Sequence, residues 1–477
     1  MFRFLVFTFL FFVGSFLFAQ AYKINPILED TSLFKTEHIV VQNISIVGNR
    51  ITKPNIITRE LLFKIGDTIA SNELSTQLEQ SKKNLLNTSL FNFAKIEWAL
   101  VSNDKIHIII FVTERWYTFP LPIFEIDDNN FNTWWETKDF SRINYGFHLV
   151  RNNFRGRKEK LSLTAQFGFT ERFRLRYNIP YINKNQKGGL SFSFSYNRRD
   201  EIAYTSQNNE RLQFKSQTND AIKNYSAGIG YNFRKEIFNT HSFGLEYDQN
   251  QIIDSVRILN PNYLGENRLK SNYLTLYYYY TIDKRDSKNY PLSGEYFRFN
   301  IRKTGLGILK DNVDLTNVKV QLKKYWQLQD RLFFASSLQG EYALNNNQPY
   351  LLRNGLGYSS SYGIRAYELY VIDGQNIGLG KAQIKYQIVK PREVDVKFIG
   401  YDKISKFHYA FYLGLFTDFA FVEDNIGFQQ NRLANDLQYS TGIGLDFITY
   451  YDLVIRTEFS INKFGESGLF LHFVAPI

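Results

Sequence analysis

The sequence predicts a mainly β protein in which one small α+β domain precedes a transmembrane β-barrel of about 16 antiparallel strands. Aromatic residues make up 17% of the 477 residues, with 32 Tyr and 44 Phe, although the mean hydropathy is only −0.31. Runs of alternating apolar and polar residues recur from about Phe140 onward, most clearly over 161–169, 190–197 and 225–233. Such alternation is typical of outer-membrane barrel strands, which have lipid on one face and lumen on the other. A soluble β-sandwich or propeller shows the same alternation and is the competing interpretation.

The composition limits the chemistry that the chain can perform. It has no Cys, so it forms no disulfide and no thiolate metal site. None of the six His residues lies at ligand spacing from another, and we expect no metal and no other cofactor. The net charge of +11 is spread through the alternating runs without a short basic cluster. This distribution favours a charged barrel lumen over a nucleic-acid surface.

The N-terminus is predicted to direct export. Arg3 precedes an apolar run from Phe4 to Phe18, and Ala19-Gln20-Ala21 offers small residues for cleavage. Residues 1–21 therefore have the pattern of a signal peptide, and the apolar run is short for a membrane span. Residues 22–37 are expected to form an N-terminal extension.

Residues 38–116 have the periodicities of a compact α+β domain. The predicted order is β-α-α-β-β, with a first strand over Ile39 to Ile46 and later strands over Phe91 to Ile96 and Lys105 to Thr113. Between them, Pro54 is well placed at the start of the first of the two helices.

Residues 117–139 are predicted to be a linker, because Pro, Asp, Asn and aromatic residues are concentrated there, including Pro120, Pro122 and Trp135. Aromatic residues suit a junction at the membrane surface. The barrel is expected to occupy residues 140–477.

A long glycine-rich loop carries a single cation beside an aromatic residue, in the order Gly363, Ile364, Arg365, Ala366 and Tyr367. Long loops in compact folds are usually functional or disordered, and this one is too aromatic for disorder. The alternative is an ordinary loop with a solvated arginine. On the run from Tyr409 to Phe419, Asp418 shares a face with the smaller and more polar residues, so its carboxylate is expected to point into the lumen and to need a partner. Because arginine offers a planar fork suited to a carboxylate, we expect Arg365 to fold back and pair with Asp418.

Several motifs together resemble the BamA/TamA family of outer-membrane assembly factors. Ile364-Arg365-Ala366-Tyr367 is similar to the family's Val-Arg-Gly-Phe/Tyr loop motif, with Ala366 in place of Gly. The unit at residues 38–116 resembles a POTRA domain. Further stretches that resemble the family, in the family's order, are Asn153-Phe154-Arg155-Gly156, Tyr177 to Tyr181, Asp283 to Gly294, Leu415 to Ala420 and Tyr439 to Leu445.

The resemblance implies that the POTRA-like domain lies in the periplasm and binds unfolded client strands along a sheet edge. It also implies that Arg365 meets inward acids of neighbouring strands. Where the family has a glutamate after the loop, this chain has Gln383 or Lys385. We therefore expect a single contact, to Asp418.

The last strand resembles the terminal signal that assembly machinery recognises in outer-membrane barrels. Its positions are Ser467, Gly468, Leu469, Leu471 and Phe473, of which Leu469, Leu471 and Phe473 are expected to face lipid. The chain departs from the usual pattern because four residues follow Phe473. The alternative is a plain last strand.

No nucleophile elbow, phosphate loop or paired-histidine motif is found in the sequence, so no enzyme activity is expected. The sequence predicts an outer-membrane factor that inserts client β-barrel proteins through a seam between its first and last strands. These strands are expected near Ile143 to Val150 and near Gly468 to Val474. Expected partners are unfolded client proteins, outer-membrane lipids and accessory lipoproteins.

Two other functions are consistent with the same features: a two-partner secretion pore that exports a dedicated protein, and a passive structural barrel or porin. BamA-type proteins carry several POTRA copies, whereas one is predicted here. An accessory or specialised insertion factor is therefore as consistent with the sequence as a central assembly machine.

Overall fold

The structure, a computed structural model, describes residues 37–126, 140–217, 220–309, 313–345, 348–357, 363–368, 370–395, 406–426, 431–449 and 453–474. The predicted signal peptide and nearly all of the predicted N-terminal extension lie outside these ranges. No helix in the described ranges is long and apolar enough to cross a membrane.

The N-terminal domain is a four-stranded sheet packed against two helices. Its elements are β1 (His38–Val47), α1 (Pro54–Thr58), β2 (Thr68–Ala70), α2 (Leu74–Leu86), β3 (Phe91–Ser102) and β4 (Lys105–Glu114). The sheet order is β2-β1-β4-β3, and β1 pairs with β4 in parallel. Ile56, Leu78 and Ile108 of its core are at most 2% exposed, so burial of apolar side chains joins the helices to the sheet.

The predicted order β-α-α-β-β lacks one element of this domain. Strand β2 has three residues, which is too short to show a period of two in the sequence. It pairs antiparallel with β1, with Ile69 opposite Ile39. The sheet therefore extends past β1, and its two edges are β2 and β3.

A 16-stranded antiparallel sheet forms the barrel. Its strands are β5 (Thr118–Ile126), β6 (Ile143–Phe154), β7 (Glu159–Gly168), β8 (Thr170–Ile179), β9 (Gly188–Arg199), β12 (Ile222–Arg234), β13 (Asn239–Ile252), β14 (Lys270–Asp283), β15 (Gly294–Thr304), β16 (Leu315–Gln329), β17 (Leu332–Ala343), β20 (Asn376–Asp395), β21 (Lys406–Glu423), β22 (Gln438–Thr449), β23 (Leu453–Asn462) and β24 (Ser467–Val474). Two hairpins lie in loops: β10 (Glu201–Gln207) with β11 (Glu210–Lys215), and β18 (Asn354–Gly357) with β19 (Val371–Gly374). Other loop elements are α3 (Asp254–Leu259) and 3-10 turns at Phe140–Arg142 and Tyr350–Leu352.

The barrel strands alternate between an apolar outer face and a polar lumen, as predicted. On β21, Leu415 is 62% exposed on the outer face, whereas Asp418 is fully buried inside. On β24, Leu469 and Leu471 are 73% and 55% exposed. Large apolar side chains at such exposure suit contact with lipid.

The barrel begins earlier than predicted. The first part of the expected linker forms β5, which pairs with β6 along its whole length. The residues expected as the first strand therefore belong to the second strand, β6. Pro120 and Pro122 concealed β5, because proline in a run argues against a strand unless the strand lies at a sheet edge. The rest of the expected linker, residues 127–139, lies outside the described ranges.

The N-terminal domain is docked on turns of the barrel. Glu60, which follows α1, is 2% exposed and accepts hydrogen bonds from both terminal nitrogens of Arg234, at 2.8 and 2.7 Å. The Lys158 ammonium lies 3.6 Å from the same carboxylate. The Asn87 amide, after α2, donates to the carbonyl oxygen of Asp286 at 3.1 Å. The domain is thus held at the β6–β7, β12–β13 and β14–β15 turns.

Substituting Glu60 with Gln should release this docking, at a cost of roughly 3 kcal/mol, because it leaves the cations at a buried contact unneutralised. Burial alone would raise the pKa of Glu60, but Lys158 and Arg234 lower it to about 2, from an ordinary value of 4.5. A carboxylate whose pKa is lower in the docked state stabilises that state at pH values above its pKa in the undocked state. This contribution is lost as the pH falls toward the lower pKa. Docking in the wild type should therefore be complete above about pH 4.5 and weaken toward pH 2.

Limited proteolysis between the domain and the barrel measures this docking directly. The matched control is Glu79→Gln, because Glu79 pairs with Lys82 at an exposed site on α2. Equal protease resistance of the Glu60→Gln and control variants would contradict the role of Glu60.

Candidate functional site

The described residues around Arg365, in the loop between β17 and β20, fold into the barrel. Ile364 is 2% exposed and Tyr367 is fully buried, and Ile364 packs with Leu356 and Ile377 in an apolar cluster. The Lys381 ammonium of β20 donates to the carbonyl oxygen of Gly363. The loop is therefore part of the interior, in contrast to a solvated surface loop.

Arg365 binds carboxylates of two barrel strands. Its Nε donates to Oδ2 of Asp418 on β21 at 2.9 Å, and Nη2 donates to Oδ1 of the same residue at 2.5 Å. Nη1 donates to Oε1 of Glu458 on β23 at 3.2 Å. The Arg365 side chain is 12% exposed, and its guanidinium lies 3.5 Å from the centroid of the Phe416 ring. The loop is thus held to the wall by a fork of charged hydrogen bonds in a nearly dry site.

The sequence predicts that Arg365 contacts Asp418 alone. In the structure, Glu458 supplies a second carboxylate. The family's glutamate is absent from β20, as the sequence indicates, but an equivalent charge reaches the loop from β23. A signal for it exists in the sequence, since Arg456 and Glu458 share one parity on β23 with the buried Ser460. That parity is the lumen face, so the pattern of β23 indicates an inward acid at position 458.

Ala366 has a φ of +65°, in the left-handed region that favours glycine. This explains why the resembling motif has Gly at this position. The neighbouring Tyr367 hydroxyl lies 3.2 Å from the side-chain oxygen of Gln438 and 3.2 Å from the carbonyl oxygen of Tyr439. Bonds on both sides therefore hold Ala366 in a conformation that its Cβ disfavours.

Substituting Ala366 with Gly should stabilise the loop slightly. Left-handed backbone costs a residue with a Cβ about 1–2 kcal/mol, and the added chain entropy of glycine offsets about 0.4–1 kcal/mol of that relief. We expect a net gain of about 0–1.6 kcal/mol in the free energy of unfolding. Thermal unfolding measures it, with Ala343→Gly on β17 as a control that should destabilise the barrel. A loss of stability in Ala366→Gly would contradict this account.

A second ion cluster lies next to the first. Asp446 of β22 accepts a hydrogen bond from Nε of Arg456 at 2.7 Å and another from the Tyr290 hydroxyl at 2.6 Å, and Lys385 lies 3.6 Å away. Tyr290 belongs to the β14–β15 turn that Asn87 of the N-terminal domain also contacts. This cluster was not predicted, because the side chain of a distant turn completes it.

The positions of the predicted terminal signal lie on the last strand, and their role as a signal stays a prediction. Ser467 and Gly468 begin β24, and Leu469 and Leu471 lie on the exposed outer face. The side chain of Phe473 lies outside the described residues. The inward His472 places its Nε2 3.4 Å from Glu458, so the acid that holds the loop also contacts the last strand.

The sheet ends at β5 and β24, and we call the junction between their free edges the seam. Over the described residues, β24 pairs only with β23 and β5 only with β6. The backbone nitrogen of Asn152 donates to the carbonyl oxygen of Tyr117 at 2.7 Å, so odd-numbered residues of β5 point their backbone groups at β6. Even-numbered residues point theirs at the seam, and two of these are Pro120 and Pro122. Proline has no N–H, so this edge lacks two of its hydrogen-bond donors.

The site can therefore perform non-covalent work: it holds a loop inside the barrel and presents a strand edge that is short of donors. Within the described ranges, no group of three or more His, Asp or Glu side chains could hold a metal ion.

Comparison with known proteins agrees with this architecture. Residues 153–383 match the family model described as the Omp85 superfamily domain, and residues 39–115 match the POTRA model, described as a surface antigen variable number repeat. A search of curated proteins finds no match.

Similar solved structures include BamA from Haemophilus ducreyi lacking POTRA domains 1–3, with 17% identity, a TM-score of 0.50, and coverage of 91% of this chain and 84% of that one. CdiB from Acinetobacter baumannii has 12% identity and a TM-score of 0.49 over 92% of this chain and 73% of that one. CdiB from Escherichia coli has 9% identity and a TM-score of 0.47 over 95% and 93%. The similarity to BamA at this identity concerns the fold.

Proposed function

This chain belongs to the Omp85 superfamily, with one POTRA domain ahead of its barrel, and from this premise we propose that it inserts client β-barrel proteins into the bacterial outer membrane. The barrel lies in that membrane and the POTRA domain in the periplasm. The family's role in protein insertion or secretion is common to its members. The choice of insertion rests on one observation, the seam between β5 and β24.

The seam supplies a template. An unpaired strand edge offers backbone groups to any extended segment, and a client strand would add to it by β-augmentation. Because Pro120 and Pro122 remove two donors, a strand bound at β5 makes fewer hydrogen bonds than one in a complete ladder. The template therefore holds a client strand and also releases it. The energy comes from folding of the client and burial of its outer face in lipid.

The lumen supports insertion over passive conduction. The loop that carries Arg365 occupies the barrel interior and is bound to β21 and β23. A filled lumen is poorly suited to free diffusion of solutes. Client proteins reach the seam from the POTRA side, and lipids and accessory lipoproteins are the further partners in this proposal.

Restoring the missing donors should slow insertion. The double variant Pro120→Ala/Pro122→Ala regains two edge N–H groups, and each hydrogen bond contributes about 0.5–1.5 kcal/mol. The free edge of β5 can then pair with β24, and a paired seam is less accessible to a client strand. The rate at which a small outer-membrane barrel folds into vesicles that contain the variant measures this effect. Pro261→Ala, in the β13–β14 loop, is the control. An unchanged rate in the double variant would show that the prolines do not govern the seam.

Depletion of the protein tests the function itself. Quantitative proteomics of the outer membrane should show lower levels of several barrel proteins, restored by the wild-type chain. Unchanged barrel proteins with loss of one exported protein would indicate a secretion pore instead. Unchanged levels of both, with altered permeability, would indicate a passive barrel.

A further inference from the structure

A cavity in the lumen wall lies among strands of the first half of the barrel, whereas Arg365 is bound to strands β21 and β23 of the last half. It has a volume of about 310 Å³ and is lined by residues of β8, β9, β12 and β13 and by Tyr277 of β14. Neither the loop contacts nor the seam uses these residues. Its lining includes Arg174, Arg176, Ser195, Ser226 and Asp248.

One wall of the cavity is cationic. Arg174 and Arg176 occupy lumen positions of β8, since Leu175 between them is 43% exposed on the outer face. The residues paired beside Arg174 are Thr164 on β7 and Ser195 on β9, both of them neutral. Within the described ranges, Arg174 and Arg176 make no ion pair, and the Nε of Arg174 is buried without a hydrogen-bond partner. A buried donor of this kind is costly unless something accepts from it.

The opposite wall carries a carboxylate. Asp248 on β13 is paired beside Ser226 of β12, which in turn is paired beside Ser195 of β9. Over the described part of the chain, Asp248 makes neither a hydrogen bond nor an ion pair. Glu246, two residues earlier, is already bound to Arg302 at 2.5 Å. Arg302 also interacts electrostatically with Asp248, but the Asp248 oxygens accept no hydrogen bond from a described residue and can therefore accept one from a ligand.

Small residues separate the two charges and create the space. The β9 and β12 positions between them are Ser195 and Ser226, whose hydroxyls lie 3.0 Å apart. Next to them, Gly228 is paired beside Ser193. Arg174 and Asp248 are three strand spacings apart, about 14 Å along the sheet, and both line the same cavity. The hydroxyls offer further donors and acceptors along the floor.

We propose that this cavity binds a small zwitterion, with its oxyanion at Arg174 and Arg176 and its ammonium at Asp248. The arginines supply forked donors for a phosphate or carboxylate group, and Asp248 accepts from the ammonium. A plain anion would leave Asp248 unpaired and close to like charge, and a plain cation would leave the arginines unpaired. Only a ligand that carries both charges satisfies both walls. The volume is at the lower end of the range for small-molecule sites.

Calorimetry on the purified full-length chain in detergent tests this site. The probes are phosphoethanolamine, with inorganic phosphate and ethanolamine as its separate halves, and β-alanine, with propionate and ethylamine as its separate halves. We expect at least one zwitterion to bind more tightly than either half by about tenfold or more, since a hydrogen bond to a charged group contributes about 1.5–3 kcal/mol. Binding of phosphoethanolamine alone would identify a phosphate-type ligand, and binding of β-alanine alone a carboxylate-type ligand.

Substitutions should show separately how the anionic and the cationic end of the ligand contribute to binding. Arg174→Gln/Arg176→Gln should abolish binding of the zwitterion and of phosphate, whereas Asp248→Asn should remove the preference for the zwitterion over its anionic half. Arg298→Gln is the control, because Arg298 lies over the Tyr279 ring on other strands, outside this cavity. Heat-modifiable migration on gels shows that each variant is folded.

Three results would overturn the proposal. The zwitterions could bind no more tightly than their halves, or Asp248→Asn could leave the affinity for the zwitterion unchanged. Binding of the zwitterion could also disappear when sodium chloride is added at an ionic strength matched to that of the ligand solution. The last would indicate charge screening only. None of these measurements involves a client protein, so the proposed insertion function stands or falls separately.

Discussion

Substituting Arg365 with alanine is expected to destabilise the barrel by about 3–5 kcal/mol, the cost of breaking a buried ion pair from one side. The substitution removes the bonds to Asp418 and Glu458 and leaves the fully buried Asp418 with Lys381, 3.6 Å away, as its remaining cation. The loop should detach from the wall and insertion activity should fall. The midpoint of heat-modifiable migration on gels measures stability, and client folding into vesicles measures activity.

The double-mutant cycle distinguishes this contact from general damage. Asp418→Ala should be milder than Arg365→Ala, because Glu458 still accepts from the arginine at 3.2 Å. The double variant should be little worse than Arg365→Ala, since both changes remove the same contact. Arg268→Ala is the control, because the pair of Arg268 with Glu266 is exposed and such pairs contribute about 0–1 kcal/mol. Strictly additive losses, or wild-type behaviour of Arg365→Ala, would show that the loop does not hold the barrel in this way.

Locking the seam with a disulfide is expected to abolish insertion. Phe124 of β5 and Leu469 of β24 are 57% and 73% exposed on the outer face, and both lie toward the end of their strands far from the POTRA domain. Because the chain has no native Cys, Phe124→Cys/Leu469→Cys should crosslink under oxidation without competing pairs. A closed seam cannot accept a client strand, so insertion should stop and should return after reduction.

Two comparisons are needed to interpret the locked variant. Each single Cys variant should insert clients at the wild-type rate in both redox conditions. Phe124→Cys/Leu471→Cys provides a second register, in case the first pair lies too far apart for disulfide geometry. Normal insertion by a fully crosslinked protein would contradict the seam mechanism and favour a fixed pore.

The sequence was informative where a pattern repeats and uninformative where a single contact decides. Alternation over many strands predicted the barrel, and the Gly363 to Tyr367 motif indicated the lumen loop. Strand β5 was missed because it contains Pro120 and Pro122, and proline is rare in strands except at a sheet edge. The edge position of β5 becomes visible only when the strand order of the sheet is known. Strand β2 was missed because three residues show no period.

Side chains that meet across the lumen were the least predictable part of the site. Glu458 contacts Arg365 from a strand 93 residues later in the chain. Tyr290 of the β14–β15 turn donates to Asp446, which lies 156 residues later in the chain. The inward parity of Glu458 was readable, but its distance from the loop depends on how the sheet curves. Patterns along one strand contain no information of that kind.

The prolines of β5 also bear on how copies of the protein behave toward one another. An open sheet edge in a bilayer could pair with the same edge of a second molecule, and association of that kind leads to inactive dimers or larger aggregates. Without N–H groups at positions 120 and 122, two β5 edges cannot form a continuous antiparallel ladder. A transient client can tolerate a broken ladder, whereas a lasting dimer needs a complete one. The same two residues therefore disfavour association of neighbouring barrels through their β5 edges.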